Sequence, residues 1–402
     1  MTDLITPIEI LRPAIVEFGP GTAPKAGAFA EARGLRRTLV VADAFNADRV
    51  DLLRLPGTVS VFGRVVPEPD TANLADAVAA ADAFRPDLVV GFGGGSAMDL
   101  AKLVAVLHKS EQSLADIVGP ERVQARQVAL VQVPTTAGTG SEAGTRALVT
   151  DPRTSAKLAV QSRFMLADLA AVDPDLTLTV PRHVTAETGI DALAHCVEAY
   201  TNRKAHPLVD IHALEGAALV GRYLARAVAD GSDREARAGL ALASLYGGYC
   251  LGPVNTAGGH AVAYPLGTRH HVSHGAANAV IFPPCAGLQR PGRAGTDGGG
   301  ADGAGTAGVE RARAGLRRGL SLLHRPRHRD AHVPARRARG RSRRDGRRGL
   351  RHPAPARQQP ARPRARRHPG PLPGRLLSLR ALTNDTNDAR IPRGGLSGAN
   401  RN

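Results

Sequence analysis

Four side chains between residues 191 and 274 have the chemistry to bind one metal ion. The stretch GIDALAHCVEAY places Asp191 and His195 four residues apart, on one face of a predicted helix. The later stretch GGHAVAYPLGTRHHVSHG adds His260 and His274. One carboxylate and three neutral imidazoles suit a divalent iron or zinc ion, which acts as a Lewis acid on an alcohol or carbonyl oxygen. The alternative is structural: an ion pair on the helix surface, and histidines hydrogen-bonded within the core.

A glycine-rich stretch in the first half, GFGGGSAMDLAK (residues 91–102), is typical of a phosphate-binding turn between a strand and a helix. Gly93, Gly94 and Gly95 would let the backbone approach a pyrophosphate closely, where the helix N-terminus offers free N–H groups. Ser96 is expected to cap this helix, with Asp99 completing a capping box. The stretch lacks the G-x-G-x-x-G fingerprint, so an ordinary Rossmann domain is not predicted. A turn with glycines for purely steric reasons is the alternative.

Polar side chains follow two further predicted strands. Asp43 ends the strand LVVAD, where a carboxylate can bind a ribose 2′-hydroxyl and repel a 2′-phosphate, or simply form a turn. The loop PTTAGTGSEAG (residues 134–144) supplies four small hydroxyls at a strand end, which suit either cofactor contacts or an ordinary surface loop. These hydroxyls belong to Thr135, Thr136, Thr139 and Ser141.

The elements that would position these residues change along the chain. Buried strands are predicted at residues 37–45, 86–96 and 128–136, with a helix over residues 71–84 between the first two. This order predicts an α/β domain with a parallel sheet over residues 1–180. From residue 181 onward, three helical stretches follow without a strand-like run between them. We therefore predict an all-helical domain that begins at residue 181 and continues to residue 284.

Taken together, these motifs resemble the iron-containing (group III) alcohol dehydrogenases. The shared stretches are GGGSAMDLAK, PTTAGTGSE, GIDALAHCVEAY and NTAGGHAVAYPLGTRHHVSHGAANAVIFP, in the family's order, over about residues 8–283. The resemblance implies the dehydroquinate synthase-like/iron-alcohol dehydrogenase fold. In that fold a nucleotide-binding α/β domain precedes a helical metal-binding domain, and the active site lies between them.

The resemblance also implies roles for individual residues. The metal ligands would be Asp191, His195, His260 and His274. The nicotinamide cofactor would be lined by Gly94, Gly95, Ser96, Asp99, Thr135, Thr136, Thr139 and Lys157, and Asp43 would favour NAD over NADP. Tyr264 stands where many members have a histidine near the nicotinamide, which leaves open whether a proton relay exists there. Gly259 precedes a ligand where an apolar residue is common.

The function implied by the resemblance is hydride transfer between the carbon of a small alcohol or aldehyde and the nicotinamide of NAD. Iron is the expected metal, and zinc fits the same donors. Hydroxyacid–oxoacid transhydrogenase and maleylacetate reductase-like activities belong to relatives of the same family and stay open. Many members form dimers or larger assemblies, so a homodimer is compatible with the resemblance.

The last part of the chain has a different composition from the rest. Residues 285–402 contain 28 Arg, no Lys and 7 acidic residues, and all 8 Phe and 5 Tyr precede them. The overall net charge of +17 therefore hides a balance of −4 in the first 284 residues. One inserted base after Pro283 would convert a family-like continuation into the observed residues 284–290. We therefore predict that residues 285–402 are translated out of frame and disordered, and that the chain is impaired.

The alternative for this segment is a basic tail that binds nucleic acid, in a non-catalytic protein. Its lack of aromatic side chains for base stacking argues against that class. Three cysteines at unrelated spacings indicate neither a disulfide framework nor a zinc knuckle. The first residues show no secretory signal, and no apolar run is long enough for a membrane helix. The expected location is the cytoplasm.

Overall fold

The computed structural model describes residues 4–270 and 272–288 of the 402-residue chain. The first part is built on a six-stranded sheet in which every pairing is parallel. Its strands are β1 (Ile15–Phe18), β2 (Arg37–Ala42), β3 (Thr58–Phe62), β4 (Leu88–Gly93), β6 (Ala129–Pro134) and β9 (Leu169–Val172), in the spatial order β1-β9-β6-β4-β2-β3. A smaller sheet joins β5 (Gly119–Pro120), β8 (Ala156–Gln161) and β7 (Arg146–Asp151). The predicted parallel α/β architecture is confirmed.

Five helices accompany these strands. They are α1 (Lys25–Ala32), α2 (Ala44–Ala47), α3 (Thr71–Phe84), α4 (Gly95–Leu107) and α5 (Leu114–Ile117). The helix predicted over residues 71–84 has the observed bounds. The three predicted strands are observed too, and the last two or three residues of each predicted stretch lie beyond the strand, in a turn or at the start of the next helix.

The central strands are apolar on both faces because helices cover both sides of the sheet. All six residues of β4 are buried. Leu39 and Val89 face one core, which includes Leu100 of α4, whereas Val40 and Val90 face a second core with Phe29 of α1. This burial holds β4 and α4 in place, and it therefore fixes both ends of the glycine-rich turn between them.

The second part of the described chain is helical, as predicted. It contains α6 (Arg182–Thr201), α7 (Pro207–Ala229), α8 (Arg234–Leu251), α9 (Gly258–His270) and α10 (His274–Leu288). Small residues let these helices pack closely: a Cβ atom on Gly247 of α8 would lie 3.2 Å from the Cβ atom of His195. None of the helices in the described residues is both long and apolar enough to cross a membrane.

The predicted start of the arginine-rich segment overlaps the last helix. Because α10 runs to Leu288, residues 285–288 are helical, and the prediction of disorder was wrong for them. The rest of the predicted out-of-frame segment, residues 289–402, lies outside the described residues. The proposed division at residue 180 falls between the end of β9 and the start of α6, and it stays a prediction.

Candidate metal and cofactor site

The four predicted metal ligands come together from three helices. Helix α6 supplies Asp191 and His195, α9 supplies His260, and α10 supplies His274; we call these four residues the histidine cluster. One potential ligand atom from each residue lies within 4.8 Å of the other three. The Oδ1 atom of Asp191 is 3.7, 3.4 and 3.6 Å from the Nε2 atoms of His195, His260 and His274. The sequence prediction that these residues share one site therefore agrees with the geometry.

The donor atoms of the histidine cluster fit a divalent cation. Three of the residues are buried, and only the His274 side chain is partly exposed, at 31%. The amide nitrogen of Asn278 lies 2.7 Å from Asp191 Oδ1, 3.1 Å from His260 Nε2 and 3.3 Å from His274 Nε2. One carboxylate oxygen and two ring nitrogens thus converge on one position. A carboxylate and imidazoles that converge in this way suit iron or zinc.

The electrostatics of the histidine cluster favour a charged Asp191 beside a neutral His195. Burial raises the pKa of Asp191, but the nearby His195, His274 and His260 outweigh it and hold that pKa far below its ordinary value. Burial lowers the pKa of His195 to about 4. Burial also lowers the pKa of His260, but its hydrogen bonds to Asp191 and Glu198 raise it to about 9. These shifts follow from burying the three rings beside the carboxylates of Asp191 and Glu198.

Two buried polar residues of this site were missed by the sequence prediction. Asn278 is 1% exposed and Glu198 is fully buried. The spacing of both residues could have predicted them, because each follows a predicted ligand along one face of a helix. Asn278 follows His274 by one helical turn. Glu198 follows Asp191 and His195 on the same face of α6.

The glycine-rich turn opens α4 in the predicted place, but its cap differs from the prediction. Gly94 is the N-cap residue, and Ser96 lies inside the first turn. The Ser96 hydroxyl accepts a hydrogen bond from the backbone N–H of Glu68 (3.1 Å). Asp99 accepts hydrogen bonds from Ser141 and from the backbone N–H of Leu148. The predicted capping box was therefore wrong, because both side chains bind other segments.

The loop at residues 134–144 lies directly against this turn. A Cβ atom on Gly95 would lie 2.7 Å from Cγ2 of Thr139, so a larger residue would displace the loop. Gly140 has a φ of +61°, and a Cβ atom there would lie 2.5 Å from backbone atoms of Ser244 and Gly248 in α8. Glycines thus let the loop fit between the turn and the helical part.

A buried group beside the loop, which we call the lysine cluster, comprises Asp99, Lys102, Ser141 and Glu142. Lys102 is fully buried; its ammonium donates hydrogen bonds to the hydroxyl of Ser141 (2.7 Å) and the backbone carbonyl of Arg146 (2.9 Å), and it lies 3.7 Å from Asp99. Burial lowers the pKa of Lys102 and raises that of Glu142 to about 7. The prediction included Asp99 and Ser141 but missed Lys102 and Glu142.

One cavity is bordered by residues from both halves of the predicted site. Its lining includes Gly95, Ser96, Asp99, Thr139, Ser141, Lys157, Tyr264 and all four residues of the histidine cluster. The Lys157 ammonium pairs with the Glu68 carboxylate at 2.8 Å. The Tyr264 ring stacks on His274, with ring centroids 5.8 Å apart.

The remaining predicted cofactor residues line a second cavity. It contains Asp43, Gly94, Thr135 and Thr136, and it shares Ser96 with the first. Asp43 caps α2, where it accepts hydrogen bonds from the backbone and side-chain N–H groups of Asn46 (3.0 and 2.7 Å). A Cβ atom on Gly93 would lie 3.2 Å from Asp43 Oδ2, so Asp43 is both a turn residue and a neighbour of the glycine-rich turn.

Comparison with known proteins decides the family. Residues 13–174 match the model for iron-containing alcohol dehydrogenases, and residues 185–295 match the C-terminal model of the same family. The probable alcohol dehydrogenase EutG of Escherichia coli is 35% identical over 67% of this chain and 70% of its own length. This chain belongs to the iron-containing alcohol dehydrogenase family.

Further relatives agree with this assignment. The long-chain-alcohol dehydrogenase 1 of Geobacillus thermodenitrificans is 44% identical over 56% of this chain, which spans 58% of that relative's length. A crystal structure of sulfoacetaldehyde reductase from Bifidobacterium kashiwanohense, in complex with NAD+, matches with a TM-score of 0.69 and 30% identity. That match covers 79% of this chain and 86% of the other. The family thus accounts for the fold of both described parts.

Proposed function

We propose that this member of the family is a metal-dependent alcohol dehydrogenase or aldehyde reductase that uses NAD(H). It would transfer a hydride between the carbon of a small alcohol and the nicotinamide ring. The observation that carries the proposal is the single cavity bordered by the histidine cluster on one side and the glycine-rich turn on the other. Substrate and cofactor would meet in that cavity, where their reacting atoms can be held close together.

Asp191, His195, His260 and His274 would hold an iron ion, and zinc fits the same donors. When bound, the ion acts as a Lewis acid on the substrate oxygen. Tyr264 borders the same cavity and would contact the substrate or the nicotinamide.

The backbone of Gly94 and Gly95 would bind the pyrophosphate at the N-terminus of α4. Around it, Ser96, Thr135, Thr136, Thr139 and Lys157 would contact the cofactor. Asp99 and Ser141, whose side chains are hydrogen-bonded to each other, would hold the loop in place. Asp43 would favour NAD, because its carboxylate would repel a 2′-phosphate.

We also propose that residues 1–180 form the NAD-binding domain and that residues 181–284 begin the metal-binding domain. Residues 285–402 would be translated out of frame. The support is their arginine-rich composition without aromatic residues, together with a C-terminal family match that ends at residue 295. Helices α9 and α10 also expose Val262 and Val280, at 52% and 66%, and an in-frame continuation would be expected to cover such side chains. The chain as written would therefore be impaired in turnover, while its four proposed metal ligands all precede the out-of-frame segment.

The cavity at the histidine cluster favours a small alcohol or aldehyde as the partner of this chain. The absence of aromatic residues from residues 285–402 argues against nucleic acid. A metabolic dehydrogenase of this kind would be a homodimer in the cytoplasm. The described cysteines, Cys196 and Cys250, are free and buried, which agrees with that location. These assignments depend on the dehydrogenase activity and are tested with it.

The decisive experiment compares this chain with one whose gene lacks a single base after codon 283. Both are incubated anaerobically with Fe²⁺ and assayed for oxidation of NADH by butanal. The corrected chain should turn over at an ordinary enzymatic rate, of the order of 1–1000 s⁻¹, and the chain as written at a small fraction of it. An inactive, folded corrected chain would contradict the dehydrogenase proposal. Equal activity of the two chains would contradict the frameshift proposal alone.

A further inference from the structure

Glu198 is a buried carboxylate that contacts the predicted metal ligand His260 at Nδ1, the ring nitrogen that does not face Asp191. It is fully buried in α6, in a position that follows Asp191 and His195 along one face of the helix. Its Oε2 atom lies 2.6 Å from Nδ1 of His260, and the two side chains are each 1% exposed. A carboxylate in such a position must accept hydrogen bonds to offset the loss of hydration.

The hydrogen bond between Glu198 and His260 determines which ring nitrogen is available to a metal. A carboxylate accepts from Nδ1–H, so the proton of the neutral ring stays on Nδ1 and Nε2 presents its lone pair. Nε2 is the atom that faces Asp191 Oδ1, at 3.4 Å. Glu198 thus selects both the tautomer and the orientation that the histidine cluster requires. Such carboxylate–histidine pairs commonly contribute 10- to 100-fold to metal affinity.

Glu198 also fixes the start of the helix that carries His260. Its Oε2 atom accepts a hydrogen bond from the backbone N–H of Ala257 (3.0 Å), and its Oε1 atom accepts one from the backbone N–H of His260 (3.2 Å). These N–H groups lie just before and within the first turn of α9, where they have no partner inside the helix. One carboxylate therefore holds both the backbone and the ring of His260.

Gly259 provides the space that this carboxylate occupies. A Cβ atom at this position would lie 2.5 Å from Glu198 Oε1. Because three hydrogen bonds hold the carboxylate, it could move away only by losing some of them. The glycine before the ligand, which is unusual at this position of the family pattern, therefore has a steric reason.

His195 provides an internal contrast. Its ring stacks on that of His260, with centroids 4.7 Å apart, and it is also buried. Its Nδ1 atom has no hydrogen-bond partner among the residues that the structure describes. The carboxylate therefore supports one of two adjacent rings.

We propose that Glu198 is a positioning residue that holds His260 with Nε2 towards the metal, and that Gly259 is required to leave room for its carboxylate. This inference rests on the proposed function, because it presupposes that the histidine cluster binds a metal ion. It concerns metal binding and needs no measurement of turnover.

The test is a titration of the metal-free full-length chain with Co²⁺, followed by the visible absorption of the bound ion. We expect Glu198→Ala to weaken Co²⁺ binding by about 10- to 100-fold. Gly259→Ala should cause a loss of similar size although the carboxylate is still present. Glu198→Gln, which keeps the shape and one acceptor oxygen, should lose less than Glu198→Ala. Glu215→Gln, the same change on the exposed surface of α7, should leave Co²⁺ affinity unaltered.

The double variant Glu198→Ala, Gly259→Ala separates positioning from a general effect on folding. Once the carboxylate is removed, the added methyl group has nothing to displace, so the double variant should bind Co²⁺ no more weakly than Glu198→Ala alone. Far-UV circular dichroism checks folding, and if Glu198→Ala is unfolded, Glu198→Ser with and without Gly259→Ala makes the same comparison, because serine is also too short to reach position 259.

Each outcome has a distinct meaning. Unchanged affinity in Glu198→Ala or Gly259→Ala, or losses that simply multiply in the double variant, would overturn the inference. If the unaltered chain binds no Co²⁺, both the metal site and the inference fail. Weakened binding with an altered Co²⁺ absorption band in both single variants would support the inference.

Discussion

The cavity is bordered by two buried polar clusters whose charges are balanced in different ways. The lysine cluster contains its own cation: Lys102 lies among Asp99, Glu142 and the hydroxyl of Ser141. The histidine cluster surrounds one carboxylate with rings whose Nε2 atoms lie 3.4–3.7 Å away. A buried charge needs a compensating partner. The first cluster finds it within the chain, whereas the second has the donor atoms that a metal ion would satisfy.

The comparison separates a structural role from a metal-binding one. A cluster that is complete within the chain should contribute to folding whether or not a metal is added. A set of converging lone pairs should affect metal binding far more than folding. The following variants test that separation.

Lys102→Met should cause the largest loss of stability. The change leaves Glu142 buried without its cation and removes the ion-pair partner of the partly buried Asp99, which should lower the free energy of unfolding by about 3–5 kcal/mol. Urea unfolding of the metal-free chain measures this loss. Co²⁺ affinity of the folded variant should stay within about twofold of the unaltered chain, since Lys102 is not a member of the histidine cluster. A stability loss below 1 kcal/mol, or a large loss of Co²⁺ affinity, would contradict the structural role assigned to the lysine cluster.

Glu142→Gln should change how stability depends on pH. Burial raises the pKa of Glu142 from 4.5 to about 7, so the folded chain binds this proton more tightly than the unfolded chain. The free energy of unfolding should therefore fall as pH rises from about 4.5 to about 7, and the Gln variant should lack this fall. By pH 8 the variant should gain roughly 3 kcal/mol relative to the unaltered chain.

Urea unfolding at half-unit steps between pH 4.5 and pH 8 measures this difference for Glu142→Gln. The matched control is Glu215→Gln, whose curve should run parallel to that of the unaltered chain. If the Glu142→Gln curve is also parallel, the carboxyl group is not held in its neutral form by burial.

Ser141→Ala should have the smallest effect of the three. Its hydroxyl lies 2.7 Å from the Lys102 ammonium and 2.5 Å from Asp99, so its loss should cost about 1–2 kcal/mol of stability. NADH affinity, followed by fluorescence, should fall only a few-fold, because the hydroxyl is hydrogen-bonded to Asp99 and Lys102 of α4. A loss of NADH affinity above about 100-fold with unchanged stability would instead make Ser141 a direct cofactor ligand.

The sequence predicted the histidine cluster better than the lysine cluster for a physical reason. Metal ligands come from a small set of residue types, and the spacing of Asp191 and His195 on one helical face is visible without a structure. Lys102 and Glu142 lie among apolar and small residues, and nothing in their spacing shows that the loop at residues 134–144 brings Glu142 against α4. Glu198 is an intermediate case. Its spacing on α6 is visible in the sequence, but the packing of the start of α9 against its carboxylate is not.

Helix caps show the same limit on a smaller scale. Ser96 and Asp99 have the residue types and spacing of a capping box, yet long-range partners engage both side chains. Local pattern rules assume that a polar side chain has only its own helix to bind. At the end of a parallel strand, where several loops meet, that assumption fails.

The central claim is that the histidine cluster is a metal centre, and the iron content of the purified chain tests it most directly. The full-length chain and Asp191→Asn are incubated anaerobically with Fe²⁺, passed through a desalting column and analysed for iron. Loss of one ligand of four should weaken binding by several hundred-fold, if the scale is that of four-ligand structural zinc sites, which bind with roughly 10–16 kcal/mol at pH 7. We predict one iron per unaltered chain and almost none in Asp191→Asn. Equal iron in the two proteins, or none in either, would contradict the claim.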